Sequence, residues 1–165
     1  MLTIILMKKK TFLLFVLLHI GKLLQDETRG KYAEIGLSHG HARILRALFR
    51  FGRLNQAKIS QALYIKPSTV SRMIKDMEAR GLVERRPDVR DVRVIRVSLT
   101  ARGEKAALLV RDICERTEEK LLKGLDKRDI KYLRARFDKI REGLGGKPPD
   151  FNILRDETKN EARIV

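Results

Sequence analysis

The feature that most constrains this chain is a change of hydrophobic period near its middle. From Asn55 to Arg80, apolar residues recur every three or four positions, in two blocks separated by Tyr64-Ile65-Lys66. From Leu82 to Leu99 they tend to alternate instead. The first period is that of amphipathic helices and the second that of half-buried strands. Asn55 is placed to cap a short helix with Ile59, Ala62 and Leu63 inward. Pro67 stands at the first position of the next helix, where a missing N–H costs nothing. That helix carries Val70, Met73, Ile74 and Met77 as one inward stripe and stops at Gly81, the left-handed residue expected after a helix. Leu82–Arg86 and Val92–Leu99 then read as two strands around the turn Pro87–Asp91, with Ile95, Val97 and Leu99 facing a core. Two short helices, a three-residue turn and a two-stranded ribbon describe a winged helix-turn-helix.

The flanks read as helices. Ser38 caps one that carries Ile44, Leu45, Leu48 and Phe49 and ends near Gly52. Thr100 caps a long helix through about Lys123. Asp126 caps another with Ile130, Leu133, Phe137, Ile140 and Leu144 on one face. The expected fold class is mainly α with a small β-wing (α+β). Residues 1–36 form an N-terminal segment and first helix, 37–100 the winged module, 101–145 the C-terminal helices, and 146–165 a loose tail after the Gly145–Pro149 linker.

The N-terminus supports two readings. Met1–Met7 is almost wholly apolar, Lys8-Lys9-Lys10 follows, and Thr11–Leu24 is apolar again. A basic triplet before an apolar run outlines a secretory signal or a membrane anchor. Yet the longest unbroken apolar run, Phe12–Leu18, has 7 residues, whereas spanning a bilayer takes about 20. No small-x-small cleavage site follows it. Apolar positions continue through Leu23 and Leu24 in one helix to about Lys31, so the favoured reading is a helix buried between other helices. Met1–Met7 also fits a start-site extension.

Charge says what kind of partner to expect. The formal net charge is +16, and His41–Gly103 alone holds 15 Lys or Arg against 5 Asp or Glu. A partner with dense negative charge accounts for this concentration: nucleic acid first, an anionic membrane surface second. With its stripe inward, the helix after Pro67 turns Ser68, Thr69, Ser71, Arg72 and Lys75 outward. Hydroxyls near a helix N-terminus can donate to phosphates or base edges, arginine can reach the paired acceptors of guanine, and lysine suits a phosphate. An ordinary solvated helix face would look similar without the charge concentration around it. Aromatic residues make up only 5% of the chain and Trp is absent, which counts against a base-stacking platform. Cys114, the one cysteine, excludes an internal disulfide and a four-cysteine zinc site. The chain reads as reduced, intracellular and cytoplasmic.

The run Asn55-Gln56-Ala57-Lys58-Ile59-Ser60-Gln61-Ala62-Leu63, then Ser68-Thr69-Val70-Ser71-Arg72 and Met77-Glu78-Ala79-Arg80-Gly81-Leu82-Val83-Glu84-Arg85, resembles the MarR family of bacterial and archaeal transcription regulators. The wing is the more specific part: Asp88-x-x-Asp91-x-Arg93, then Val97-Ser98-Leu99-Thr100-x-x-Gly103 entering a long helix. The resemblance covers roughly Leu17 to Leu144. It implies a homodimer whose first and last helices interdigitate, with Leu13, Leu17, Ile20, Leu24, Phe137 and Ile140 in the interface, straddling a pseudo-palindromic operator in double-stranded DNA. It also implies that the helix Pro67–Arg80 enters the major groove. The wing would then place Arg93, oriented by Asp91, in the adjacent minor groove, with Arg90 at the tip as the competing candidate. Lys66 departs from the Ser or Asp that often caps this helix and is free for phosphate. Tyr64 stands where many relatives have a small residue.

The resemblance further implies a small anionic or phenolic inducer, of unknown identity, in a crevice lined by the first, second and fifth helices. Cys114 reads as a buried, inert thiol beside Val110 and Ile113 rather than an oxidation sensor. His39-x-His41 lacks the partners of a metal site and reads as capping or packing. No phosphate-binding glycine loop or catalytic frame is present, so neither catalytic residues, cofactor, metal nor enzymatic activity is expected. The leading expectation is a DNA-binding regulator, most simply a ligand-responsive repressor, with no membrane partner. The alternatives are a winged-helix protein-assembly module or a non-specific basic DNA-binding protein, possibly tethered to a membrane through residues 1–24.

Overall fold

The computed structural model describes residues 2–89 and 91–146, with side chains from Phe12 onward. Nine elements follow in chain order: α1 (Leu2–Glu34), α2 (His39–Phe51), β1 (Leu54–Asn55), α3 (Gln56–Leu63), α4 (Pro67–Ala79), β2 (Val83–Pro87), β3 (Ile95–Leu99), α5 (Ala101–Leu122) and α6 (Lys127–Gly143). Arg90 and residues 147–165, including most of the expected tail, lie outside the described residues.

The helix starts follow from local chemistry. The Ser38 hydroxyl accepts from the His41 N–H at 3.2 Å, and His41 Nδ1 accepts from the Ser38 N–H at 3.3 Å. This reciprocal box satisfies two N–H groups that the first turn of α2 leaves open. Asn55 caps α3 through Ala57, and Asp126 caps α6 through Arg128 and Asp129. Thr100 has two tasks. Its hydroxyl accepts from the Gly103 N–H at 3.0 Å and donates to the Gly81 carbonyl at 2.6 Å, tying the start of α5 to the end of α4.

The core lies under the winged module. Ile44, Leu45 and Leu48 of α2, Ile59 of α3, Val70, Ile74 and Met77 of α4, Val97 of β3 and Val110 of α5 are buried almost completely. Burying each such side chain is worth roughly 1.5–3 kcal/mol. Gly103 makes the closest joint: a Cβ there would fall 1.8 Å from the Leu82 carbonyl oxygen. Only glycine lets α5 begin against the chain entering β2.

Several expectations need correction. The sheet has three antiparallel strands in the order β1-β3-β2, because Leu54 and Asn55 pair with Val97 and Arg96 on the free edge of β3. The wing strands are shifted and shortened. β2 runs Val83–Pro87, and β3 starts at Ile95 rather than Val92, since the Val94 N–H bonds back to the Asp91 carbonyl in the turn. α1 continues to Glu34, beyond Lys31. Phe49 is exposed and Phe51 is buried in its place, while Ile95, Leu99 and Met73 are only half-buried. The apolar stripes of α1 and α6 remain uncovered in the single chain. Phe12, Leu13, Phe15 and Leu18 on α1 are exposed, as are Phe137, Ile140 and Leu144 near the end of α6. α6 buries no residue and makes no substantial packing contact with the other described elements.

Candidate nucleic-acid interface

α3, the turn Tyr64–Lys66 and α4 present one edge of the module, and the β2–β3 wing presents the next. On α4, Ser68, Arg72 and Lys75 are exposed, as is Lys66 before it; Thr69 and Ser71 are half-buried, deeper than expected for an outward face. Lys66 makes no side-chain bond to the helix it precedes.

The acidic groups of the module are spoken for. Asp76 lies 3.4 Å from His41 Nε2 and 3.5 Å from Arg80, and Glu78 pairs with Arg85 at 2.6 Å. Glu84 pairs with Arg86 at 2.9 Å, Asp88 with Arg96, and Asp91 with Arg93. All 5 acids between His41 and Gly103 are therefore paired with basic side chains other than Lys66, Arg72 and Lys75. Lys66, Arg72 and Lys75 make no ion pair among the described residues. Positive potential is thus left on α4 and its approach, where a polyanion would gain from it.

The wing is braced from within. The Asp88 N–H bonds to the Val94 carbonyl at 2.8 Å, and the Asp88–Arg96 pair, with side chains 14% and 16% exposed, closes the hairpin beneath that bond. Further out, Arg93 Nε and a terminal guanidinium nitrogen donate to the two oxygens of Asp91 at 2.9 and 3.1 Å, and the Arg93 N–H donates to Oδ1 at 3.0 Å. Arg93 is 88% exposed all the same. The guanidinium hydrogen bond holds the Asp91 carboxyl below its ordinary value and raises Arg93 in turn, so both stay charged. Asp91 thus holds Arg93 through two guanidinium hydrogen bonds. The Asp88–Arg96 and Arg43–Leu63 contacts were not anticipated, although the eight-residue spacing across a hairpin is a signal that could have found the first.

Three further sites differ from or refine the sequence reading. Cys114 is half-buried, with its sulfur 3.2 Å from the Tyr32 hydroxyl and 3.6 Å from an Arg46 guanidinium nitrogen. It is not the wholly apolar thiol expected. Desolvation, followed by the hydrogen bond to Cys114, raises the Tyr32 phenol above its usual value. His39 packs edge-on against Tyr32, with ring centroids 5.7 Å apart, and His41 serves the α2 cap. Among the described residues, no group of three metal-ligating side chains occurs. A cavity of about 340 Å³ opens between α1 and the start of α2, lined by residues that include Gln25, Arg29, Tyr32, Ser38 and His39. The described residues lining it come from α1, the α1–α2 turn and the start of α2. No helix among the described residues is long and apolar enough to cross a membrane.

A helix-turn-helix with a braced three-stranded wing defines the class: winged-helix transcriptional regulators. The family model for MarR matches residues 37–95, from the approach to α2 through the wing. Two Bacillus subtilis (strain 168) proteins are similar over much of their length. The HTH-type transcriptional regulator YybA is 21% identical over 76% of this chain and 83% of its own. The HTH-type transcriptional repressor MdtR is 28% identical over 61% and 71%. Among solved structures, the transcriptional regulator SlyA superposes with a TM-score of 0.71 at 20% identity, covering 80% of this chain and 93% of its own. S. aureus MepR in complex with DNA gives 0.72 at 22%, covering 79% and 96%. The winged module is thus similar to that of the MarR family, and the chain is a DNA-binding transcriptional regulator rather than an enzyme.

Proposed function

We propose that the protein acts in the cytoplasm as a homodimeric repressor that binds a pseudo-palindromic site in double-stranded DNA. The observation that carries this reading is the pairing of every acid of the winged module with a basic side chain other than Lys66, Arg72 and Lys75, which stay unpaired among the described residues. α4 enters the major groove. Ser68, Thr69, Ser71 and Arg72 address bases and phosphates there, with Lys66 and Lys75 on phosphates. Arg93, with Arg90 as the competing candidate, enters the adjacent minor groove, where narrow A·T-rich stretches strengthen the attraction for arginine. Similar proteins support this: MdtR is a transcriptional repressor, and MepR forms a complex with DNA.

The dimer reading rests on apolar surface. Leu13, Ile20, Phe137 and Ile140 are exposed in the single chain, and Leu17 and Leu24 are half-buried. A second copy covers them, α1 and α6 of each protomer packing on those of the other. Residues 1–36 and 101–145 then form the dimerisation unit and 37–100 the DNA-binding unit.

A small anionic or phenolic effector enters the cavity at Arg29, Tyr32 and His39. Its effect can pass along a short path: Ser38 and His39 adjoin His41, whose Nε2 faces Asp76 on α4. Effector binding that shifts the start of α2 therefore shifts α4.

Selection of bound sequences from random duplex DNA at physiological salt tests the proposal. Recovery of an inverted repeat with half-sites about 34–36 Å apart supports a dimer with two recognition helices. Affinity should fall with salt at a log–log slope of about −5 to −9 for ~6–10 neutralised phosphates. Retention without any enriched sequence would overturn the operator reading in favour of non-specific binding.

A further inference from the structure

We infer that Tyr64 is a DNA-backbone contact, its phenol donating to a phosphodiester oxygen beside the entry of α4. The inference rests on the DNA-binding reading above and adds a residue that reading does not use.

Tyr64 is the one non-glycine residue at positive φ among the described residues, with φ 51° and ψ 44°. That left-handed region strains a residue bearing a Cβ and suits glycine. The turn holds this shape by contacts that do not involve the Tyr64 side chain. Arg43 of α2 donates to the Leu63 carbonyl, the Ser60 hydroxyl donates to the Ile65 carbonyl at 2.6 Å, and the Tyr64 N–H bonds to the Ser60 and Gln61 carbonyls. Glycine would fit the same turn without strain.

The side chain makes no polar or ring contact among the described residues. It is 55% exposed, and among the described residues its hydroxyl has no hydrogen-bond partner and its ring no aromatic or cationic neighbour. A large, largely exposed residue kept in a strained backbone without a partner for its hydroxyl points to a role outside the fold. Its place supplies that role. Three trans peptides separate Tyr64 from Pro67, a reach of at most about 11 Å, and the exposed, uncapping Lys66 lies between them. A neutral phenol beside that lysine can hydrogen-bond to a phosphate oxygen, a contact that positions the duplex without reading its sequence.

The test uses the full-length protein, the duplex recovered by selection and an unrelated duplex of equal length, in a salt series alongside thermal melting. Tyr64→Phe should bind both duplexes about threefold to tenfold more weakly, as expected for one lost hydrogen bond. Its melting temperature and salt slope should be unchanged. Lys66→Ala, by contrast, should lower the slope by about 1. Tyr64→Gly should melt a few degrees higher and show at least the same loss of affinity. Full affinity in Tyr64→Phe, or a lower melting temperature in Tyr64→Gly, would overturn the assignment. Failure of the wild-type protein to retain any duplex would overturn the DNA-binding reading instead.

Discussion

Asp91 grips Arg93 through both carboxylate oxygens, at 2.9 and 3.1 Å, and leaves the guanidinium 88% exposed at the end of the wing. The pair limits where the arginine can point without hiding its charge. Arg93→Ala should therefore weaken duplex binding by about tenfold or more, and Asp91→Ala by less, because the second change leaves the charge but frees its direction. Since Asp91 sits below its ordinary value, the fork persists through the neutral range. It opens only as pH falls through that depressed value. Equal affinity of both variants and wild type in a titration would remove the wing from the interface.

The joint at Gly103 is testable through stability alone. A methyl group there would meet the Leu82 carbonyl oxygen at 1.8 Å, so backbone must move. Gly103→Ala should cost about 3 kcal/mol or more, at the upper end of overpacking effects, although alanine favours helix. Chemical denaturation measures it, and an unchanged midpoint would show that α5 can shift freely against β2.

Glu27 bridges α1 to α5, with Lys31 at 2.5 Å and Lys120 at 2.7 Å from the same oxygen. Its hydrogen bonds to Lys120 and Lys31 lower its pKa from 4.5 to about 2. A lowered folded-state pKa contributes stability that is present above the unfolded value and lost as pH falls through the folded one. The melting-temperature difference between wild type and Glu27→Gln should thus be full at pH 7, shrink below about 4.5 and vanish near 2. A difference independent of pH would assign the effect to packing instead.

Phe137 is 47% exposed on α6 in the single chain. Placing a charge in an apolar interface leaves it unpaired and desolvated. Phe137→Asp should shift the protein from dimer to monomer in sedimentation and reduce operator affinity with it. It should also abolish the concentration dependence of melting that a dimer shows. A dimer that survives the change would place the interface elsewhere.

Local chemistry made much of this legible from the chain. Ser38, Asn55, Thr100 and Asp126 each cap the helix they precede, because a cap needs only its own side chain and an N–H two or three residues on. The stripe Val70–Ile74–Met77 and the stop at Gly81 are legible for the same reason: periodicity and a positive φ are properties of one segment. β1 was not legible. Two residues have no period, and Leu54 and Asn55 become a strand only because β3 offers an open edge. Likewise, spacing favoured Phe49 for the core, but the way α2 lies on its neighbours buries Phe51 instead.

By itself, then, the chain determined the capped helix starts, the presence of a wing after α4 and the concentration of positive charge. These depend on contacts a few residues apart, which sequence order alone brings together. The tertiary structure decided which charges remain unpaired. It brought Arg96 to Asp88, Arg85 to Glu78 and His41 to Asp76, left Lys66, Arg72 and Lys75 without partners among the described residues, and placed Tyr32 and Arg46 against Cys114. These pairings depend on strand register and helix docking. Both are set by the packing of the whole core, so no local pattern in the chain could announce them.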